Sequence, residues 1–199
     1  MKMKNKGIII FGGTGDLAYR KLFPALYNLH CLGLLPEDYK VVGVGRKGYS
    51  KEDYVEIIKK WTSEFSRLKY TEEDFSEFSK RIIYYQMDMT KVAQYRDLLA
   101  DLDYANGRKE SGWTYYYAVP PKIFGFITDG IRLAGCPLSG AKVIIEKPFG
   151  DTMDAAEYIY KNLKQCFSQE NIFFIDHYLG KEMIINIMTL RFANAIFGG

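Results

Sequence analysis

Cysteine is scarce in this chain. Its three residues, Cys31, Cys136 and Cys166, lie far apart and form no C-x-x-C pair. An odd, scattered set of thiols argues against a disulfide framework and suits a reduced, cytosolic protein. Each cysteine reads as a small packing residue rather than a nucleophile. Histidine is rarer still, with only His30 and His177. No apolar run approaches the length of a membrane span. The basic start, Met1 to Lys6, is followed only by Ile8 to Phe11, too short for the core of a signal peptide. Neither sign of charge dominates: 27 Lys and Arg against 24 Asp and Glu leave a formal charge of +3. That balance argues against nucleic acid as a partner, although local basic spots can still serve a phosphorylated small molecule. Internal repeats, low-complexity tracts and a clustered metal-ligand set are absent as well.

What is present is a globular composition, 48% hydrophobic and 26% charged over 199 residues. This is enough for one domain with a real core, or one domain and a small piece. The 16 tyrosines are read as packing and surface aromatics.

The most informative stretch is Gly7-Ile8-Ile9-Ile10-Phe11-Gly12-Gly13-Thr14-Gly15-Asp16-Leu17-Ala18. An apolar run, a glycine turn and a helix start follow one another. Gly12 lets the chain turn, and Gly15 lets the backbone approach a phosphate. The helix that follows aims free N–H groups and the positive end of its dipole at the same point. The spacing Gly12-x-x-Gly15-x-x-Ala18 is a variant of the dinucleotide fingerprint. A purely structural turn is the alternative, but its place after a first strand favours a cofactor.

The rest of the chain alternates. A helix is expected from Asp16 to about Cys31, kinked or restarted at Pro24 and stopped by Gly33. Strand two is Lys40 to Gly45 and leads into Arg46 and Lys47. NAD enzymes carry an acid near this point, so a guanidinium here favours a 2′-phosphate, hence NADP over NAD. A solvated loop arginine is the alternative. Helices follow at 51–65 and 72–80, with no chemistry assigned to them, then a strand at 81–87. Asp88 and Thr90 are expected to cap a helix over 91–102. A strand over 113–119 ends in Pro120-Pro121, at the crevice end of an open sheet. A helix over 122–133, a strand over 141–146, a helix capped by Asp151 or Thr152 and reaching about Phe167, a strand over 171–175 and an amphipathic helix over 181–196 complete the order. With no hairpin signals between them, these units predict an α/β, Rossmann-like, doubly wound and mainly parallel sheet of about six strands.

Two further clusters lie at strand carboxyl ends. In Glu146-Lys147-Pro148, Lys147 can neutralise a phosphate or polarise a sugar hydroxyl. In Asp176-His177-Tyr178-Leu179-Gly180-Lys181-Glu182, an acid, an imidazole, a phenol and an ammonium fall close together. The bland alternatives are a turn lysine and a capped helix start. A parallel sheet would bring all three clusters to one crevice, suited to oxidation of a phosphorylated polyol or sugar.

Through these segments the chain resembles the glucose-6-phosphate dehydrogenase family. The resemblance rests on Gly12 to Ala18, Arg46, Glu146-Lys147-Pro148-Phe149-Gly150, Ile175 to Glu182 and Leu190-Arg191-Phe192-Ala193-Asn194, in the family's order. It implies that Gly12, Gly13, Thr14, Gly15, Asp16 and Leu17 hold the NADP pyrophosphate, with Pro120 also at the cofactor, and that Arg46 binds the 2′-phosphate. It implies that Lys147 contacts cofactor and sugar with Lys21 nearby, and that His177, Tyr178 and Lys181 grip the phosphate of glucose 6-phosphate. Asp176 would orient the histidine that takes the proton from the C1 hydroxyl as hydride leaves for the nicotinamide. The product would be 6-phosphoglucono-lactone, in the cytoplasmic pentose phosphate pathway. NAD use is possible, and the full-length family forms homo-oligomers.

The departures are specific. The family's base histidine belongs to a second, α+β substrate domain, which neither His30 nor His177 represents. Residues 1–180 are therefore expected to be the NADP-binding domain, and 181–199 the start of the helix leading to that second domain. Phe174 stands where the family usually has arginine, and Phe124 where some members have a cofactor-contacting tyrosine. The chain alone is expected to bind NADP and turn over little or no sugar phosphate. The alternative is a non-catalytic NADP-binding sensor or partner subunit.

Overall fold

The computed structural model describes residues 7–102, 112–135, 140–147 and 152–175. Six strands, β1 (Gly7–Phe11), β2 (Lys40–Gly45), β3 (Ile82–Gln86), β4 (Trp113–Tyr117), β5 (Lys142–Glu146) and β6 (Ile172–Ile175), form one sheet in the order β3-β2-β1-β4-β5-β6. Every pairing is parallel. The expected "mainly parallel" sheet is thus wholly parallel among the described residues.

A parallel sheet is covered on both faces, so its strands read as continuous apolar runs rather than alternating ones. β1 shows this directly. Ile8 and Ile10 point into one core with Phe23, Leu26 and Tyr27 of α1 (Phe23–Cys31), Tyr54 and Ile58 of α2 (Lys51–Phe65) and Phe75 and Phe78 of α3 (Glu72–Ser79). Ile9 and Phe11 point into the other, with Tyr95 and Leu98 of α4 (Gln94–Asp101), Phe124 and Ile127 of α5 (Phe124–Leu133) and Leu163 of α6 (Met153–Lys164).

The helix expected from Asp16 to Cys31 is present, with a wide π turn over Ala18–Leu22. Phe23 N–H reaches back to the Ala18 carbonyl, just before Pro24, whose ring and missing N–H disfavour a regular α-helical bond there. The proline therefore widens the helix without ending it. Gly33, at φ +66°, closes the helix as expected, with Leu34 N–H on the Leu29 carbonyl at 2.9 Å.

Capping differs in one place. Thr152 caps α6 as foreseen, accepting from Ala155 N–H. Asp88 and Thr90 do not cap α4. Asp88 instead accepts from the Thr90 N–H at 3.0 Å and the Thr90 hydroxyl at 2.8 Å, closing a local turn, and α4 starts only at Gln94. β4 is also shorter than expected: it stops at Tyr117, and a 3-10 turn over Pro121–Ile123 precedes α5. The helix expected over 181–196 lies outside the described residues.

Candidate functional site

All six strands run the same way, so their carboxyl ends share one edge. The register fixes the line: Phe11 pairs with Val44 and with Tyr117, Tyr117 with Ile145, and Ile145 with Phe174. Just beyond that line emerge the Gly12 turn, Arg46, Ala118 to Pro120 and Lys147. The strand order reverses between β1 and β4, and in such sheets the ligand crevice opens at that reversal. β5 lies two strand spacings from β1, roughly 10 Å. Lys147 N–H donates to the Ile175 carbonyl at 3.0 Å, so the pairing of β5 with β6 carries on to Lys147.

The turn is tightly built. Gly12 sits at φ +90°, and a Cβ there would lie 2.2 Å from the Ala118 carbonyl oxygen, across the crevice floor. Gly12 and Gly13 both donate to the Val44 carbonyl, at 3.0 and 2.8 Å, and Gly15 donates to the Gly12 carbonyl at 2.9 Å. Gly15 is different. A Cβ there would meet only the Gly12 carbonyl, at 3.1 Å. Its missing side chain therefore leaves open space, the cradle a phosphate needs at the head of a helix. Asp16 is exposed and within 3.7 Å of Arg20, while Lys21 is exposed within the π turn.

Arg46 and Lys47 are exposed on the loop after β2. Their backbone is held from β3. Gln86 Nε2 donates to the Arg46 carbonyl at 3.2 Å, and the Tyr84 hydroxyl donates to that of Lys47. Lys47 Nζ stands 5.9 Å from the Tyr49 ring centre. Asp88 lies nearby. The Thr90 N–H and hydroxyl hold its carboxyl below the usual range, with Lys91 and Arg46 adding smaller contributions.

Three tyrosines at this edge do more than pack, which the reading of tyrosine as packing and surface residues missed. The Tyr54 hydroxyl, from α2, donates to the Gly13 carbonyl at 2.7 Å. Tyr84 braces the Lys47 carbonyl. Tyr116 donates to Glu146 Oε1, beside Lys147. Burial, then the Glu146 charge, pushes the Tyr116 phenol well up, so it stays protonated as a donor. No local signal marks these tyrosines. Their partners are 41, 37 and 30 residues away.

His30 is at the carboxyl end of α1, at the opposite sheet edge, with its ring 5.7 Å from Phe78 and its pKa lowered mainly by burial. Burial raises the thiol pKa of Cys31 and Cys166, the reverse of an activated nucleophile. Phe124 is a core residue 5.4 Å from the Tyr117 ring, and Phe174 packs near Tyr160 at 6.1 Å. Asp176, His177, Tyr178 and Lys181 lie outside the described residues, as do Pro148 to Gly150 and Cys136. Among the described residues, no three His, Cys, Asp or Glu side chains are grouped to hold a metal, and no helix is long and apolar enough to cross a membrane.

A 3-2-1-4-5-6 parallel sheet with a glycine turn at its switch point has the arrangement of a dinucleotide-binding domain. The chain belongs to the glucose-6-phosphate dehydrogenase family: the family's "NAD binding domain" matches residues 9–186. Glucose-6-phosphate 1-dehydrogenase of Bacillus subtilis is 35% identical over 194 residues, covering 96% of this chain and 39% of that protein. The Schizosaccharomyces pombe enzyme of the same name is 34% identical over 195 residues, covering 97% and 39%. Among solved structures, the Mycobacterium avium enzyme superposes with a TM-score of 0.79 at 28% identity, over 96% of this chain and 40% of that one. A glucose-6-phosphate dehydrogenase in complex with glucose 6-phosphate gives 0.76 at 30% identity, over the same shares. The chain thus spans about two fifths of the length of the relatives it matches. Family membership supports a nicotinamide cofactor.

Proposed function

We propose that this chain is the NADP-binding part of a glucose 6-phosphate oxidation site. The observation that carries the reading is the single edge that gathers the Gly12 to Leu17 turn, Arg46 and Lys147. The N–H groups at the start of the helix behind the turn take the pyrophosphate, while the Gly12, Gly13 and Gly15 N–H groups hold the turn in shape. Arg46 takes the 2′-phosphate in two-point fashion, and Pro120 walls the cofactor site from the β4 side. When bound, the nicotinamide supplies a hydride acceptor.

Lys147 faces both ligands as a point charge, with Lys21 close to the same site. His177, Tyr178 and Lys181 bind the sugar's phosphate, and Asp176 fixes the tautomer of the base that takes the C1 hydroxyl proton. His30 is at the wrong edge to be that base, and the family resemblance gives His177 to the phosphate. We therefore assign proton removal to a histidine of the substrate domain, and the product to 6-phosphoglucono-lactone.

Calorimetric titration tests the cofactor half of this reading. NADP should bind more tightly than NAD by about tenfold or more, one charge-assisted hydrogen bond's worth. Equal affinities would remove the 2′-phosphate assignment, and no binding of either would remove the site.

A further inference from the structure

The pyrophosphate turn and the Arg46–Lys47 loop belong to different βα units, yet a continuous set of contacts joins them from behind. The Tyr54 hydroxyl holds the Gly13 carbonyl at 2.7 Å. Its ring lies 4.3 Å, centre to centre, from the ring of Tyr84, and the Tyr84 hydroxyl holds the Lys47 carbonyl. Space for this link is cleared in β2. A Cβ on Gly43 would lie 1.9 Å from the Tyr54 hydroxyl oxygen, and one on Gly45 would strike the Thr14 side chain at 2.6 Å. Thr14, in the turn, therefore seats directly on the residue before Arg46.

The direction of the carbonyls matters. Those of Gly45, Arg46 and Lys47 accept, in order, from Met87 N–H at 2.8 Å, Gln86 Nε2 at 3.2 Å and the Tyr84 hydroxyl. All three donors come from β3 or its end, on the far side of β2 from the crevice. Three carbonyl dipoles in a row are turned away from the place where an anion would sit, and fixing the carbonyls fixes the Cα–Cβ directions of two cations.

We infer that Tyr84, with Gln86, is a positioning residue for cofactor selectivity. It sets Arg46 and Lys47 toward the ribose 2′-phosphate by holding their backbone, while Tyr54 ties that loop to the pyrophosphate turn. Each hydroxyl gives its single proton to a backbone carbonyl, so neither donates to the cofactor's phosphates. The inference rests on the NADP reading above.

The test is a set of affinities for NADP, NAD, 2′,5′-ADP and 5′-ADP, measured on the purified 199-residue chain. Tyr84→Phe keeps the ring contact with Tyr54 and removes only the donor. Its NADP and 2′,5′-ADP affinities should fall about fivefold, the effect of one modest hydrogen bond. NAD and 5′-ADP should stay within about twofold, so the selectivity ratio falls. Gln86→Met should shift the ratio in the same direction without touching the tyrosine cluster. Tyr54→Phe should weaken all four ligands alike and leave the ratio unchanged. If wild type prefers NADP and both Tyr84→Phe and Gln86→Met retain that preference in full, the inference fails while the NADP reading stands. If wild type shows no preference at all, both fail together.

Discussion

Replacing Gly12 by alanine should destabilise the domain by about 2–5 kcal/mol and lower nucleotide affinity about a hundredfold, whereas Gly15→Ala should lower affinity about tenfold or more with little loss of stability. The two glycines are three residues apart and fail for different reasons. At Gly12 an L-residue must take φ +90°, a conformation that costs about 1–2 kcal/mol for any residue with a Cβ. The new methyl would also lie 2.2 Å from the Ala118 carbonyl oxygen, and overpacking of this kind costs a further 1–3 kcal/mol, roughly. Relief requires the turn to lift off β4, which breaks the paired donation of Gly12 and Gly13 to Val44. The displaced turn would pull the helix start out of line with the phosphates, and losing two charge-assisted hydrogen bonds from the helix N–H groups would lower affinity on the order of a hundredfold.

Gly15 has no positive φ to maintain, and its methyl would meet one oxygen at 3.1 Å. Its stability cost should stay under about 1 kcal/mol. The methyl would nevertheless occupy the space kept for the pyrophosphate, with a loss of affinity on the order of tenfold or more. Urea unfolding and NADP titration of the two variants separate the effects. A Gly15→Ala variant that binds NADP normally would show that the open space has another purpose.

Arg46→Ala should lower NADP affinity by about 10- to 100-fold and leave NAD within about twofold, as a charge-assisted, two-point contact to a phosphate is worth about 1.5–3 kcal/mol. Arg46 is exposed and its carbonyl is held by Gln86, so truncation removes the guanidinium without disturbing the loop. The NADP advantage of wild type should also shrink as salt rises, because an exposed charge pair is screened over about a Debye length. Equal losses for the two cofactors would mean that Arg46 acts on the common adenosine part or on the fold. Retained NADP affinity would assign the 2′-phosphate to another cation, with Lys47 the nearest in sequence.

The legible parts of this fold were those written in contiguous residues. Ile8 to Phe11 followed by Gly12-Gly13-Thr14-Gly15 fixes a strand, a turn and a helix within one short window, and Arg46 follows directly from the end of β2. Alternation of such units, with no hairpin turns, was enough for a doubly wound sheet. Terminal detail was harder. Asp88 and Thr90 have the chemistry of caps, but a local turn between them satisfies the same groups, and nothing in the spacing decides between the two. A kink or restart was expected at Pro24, whereas the helix carries through it with a π turn over Ala18–Leu22, a form that depends on how the helix settles onto the sheet. The tyrosine braces were invisible. Tyr54, Tyr84 and Tyr116 are ordinary members of a tyrosine-rich chain until the sheet order places their hydroxyls against Gly13, Lys47 and Glu146. Such roles belong to contacts between distant segments, and a single sequence does not encode them in any local pattern.

Backbone amide NMR during an NADP titration tests the central claim most directly. The largest shifts should fall on Gly12 to Leu17 and on Arg46 and Lys47, at the carboxyl edge of β1 and β2. Shifts concentrated instead at His30 to Gly33, on the opposite edge, would contradict it.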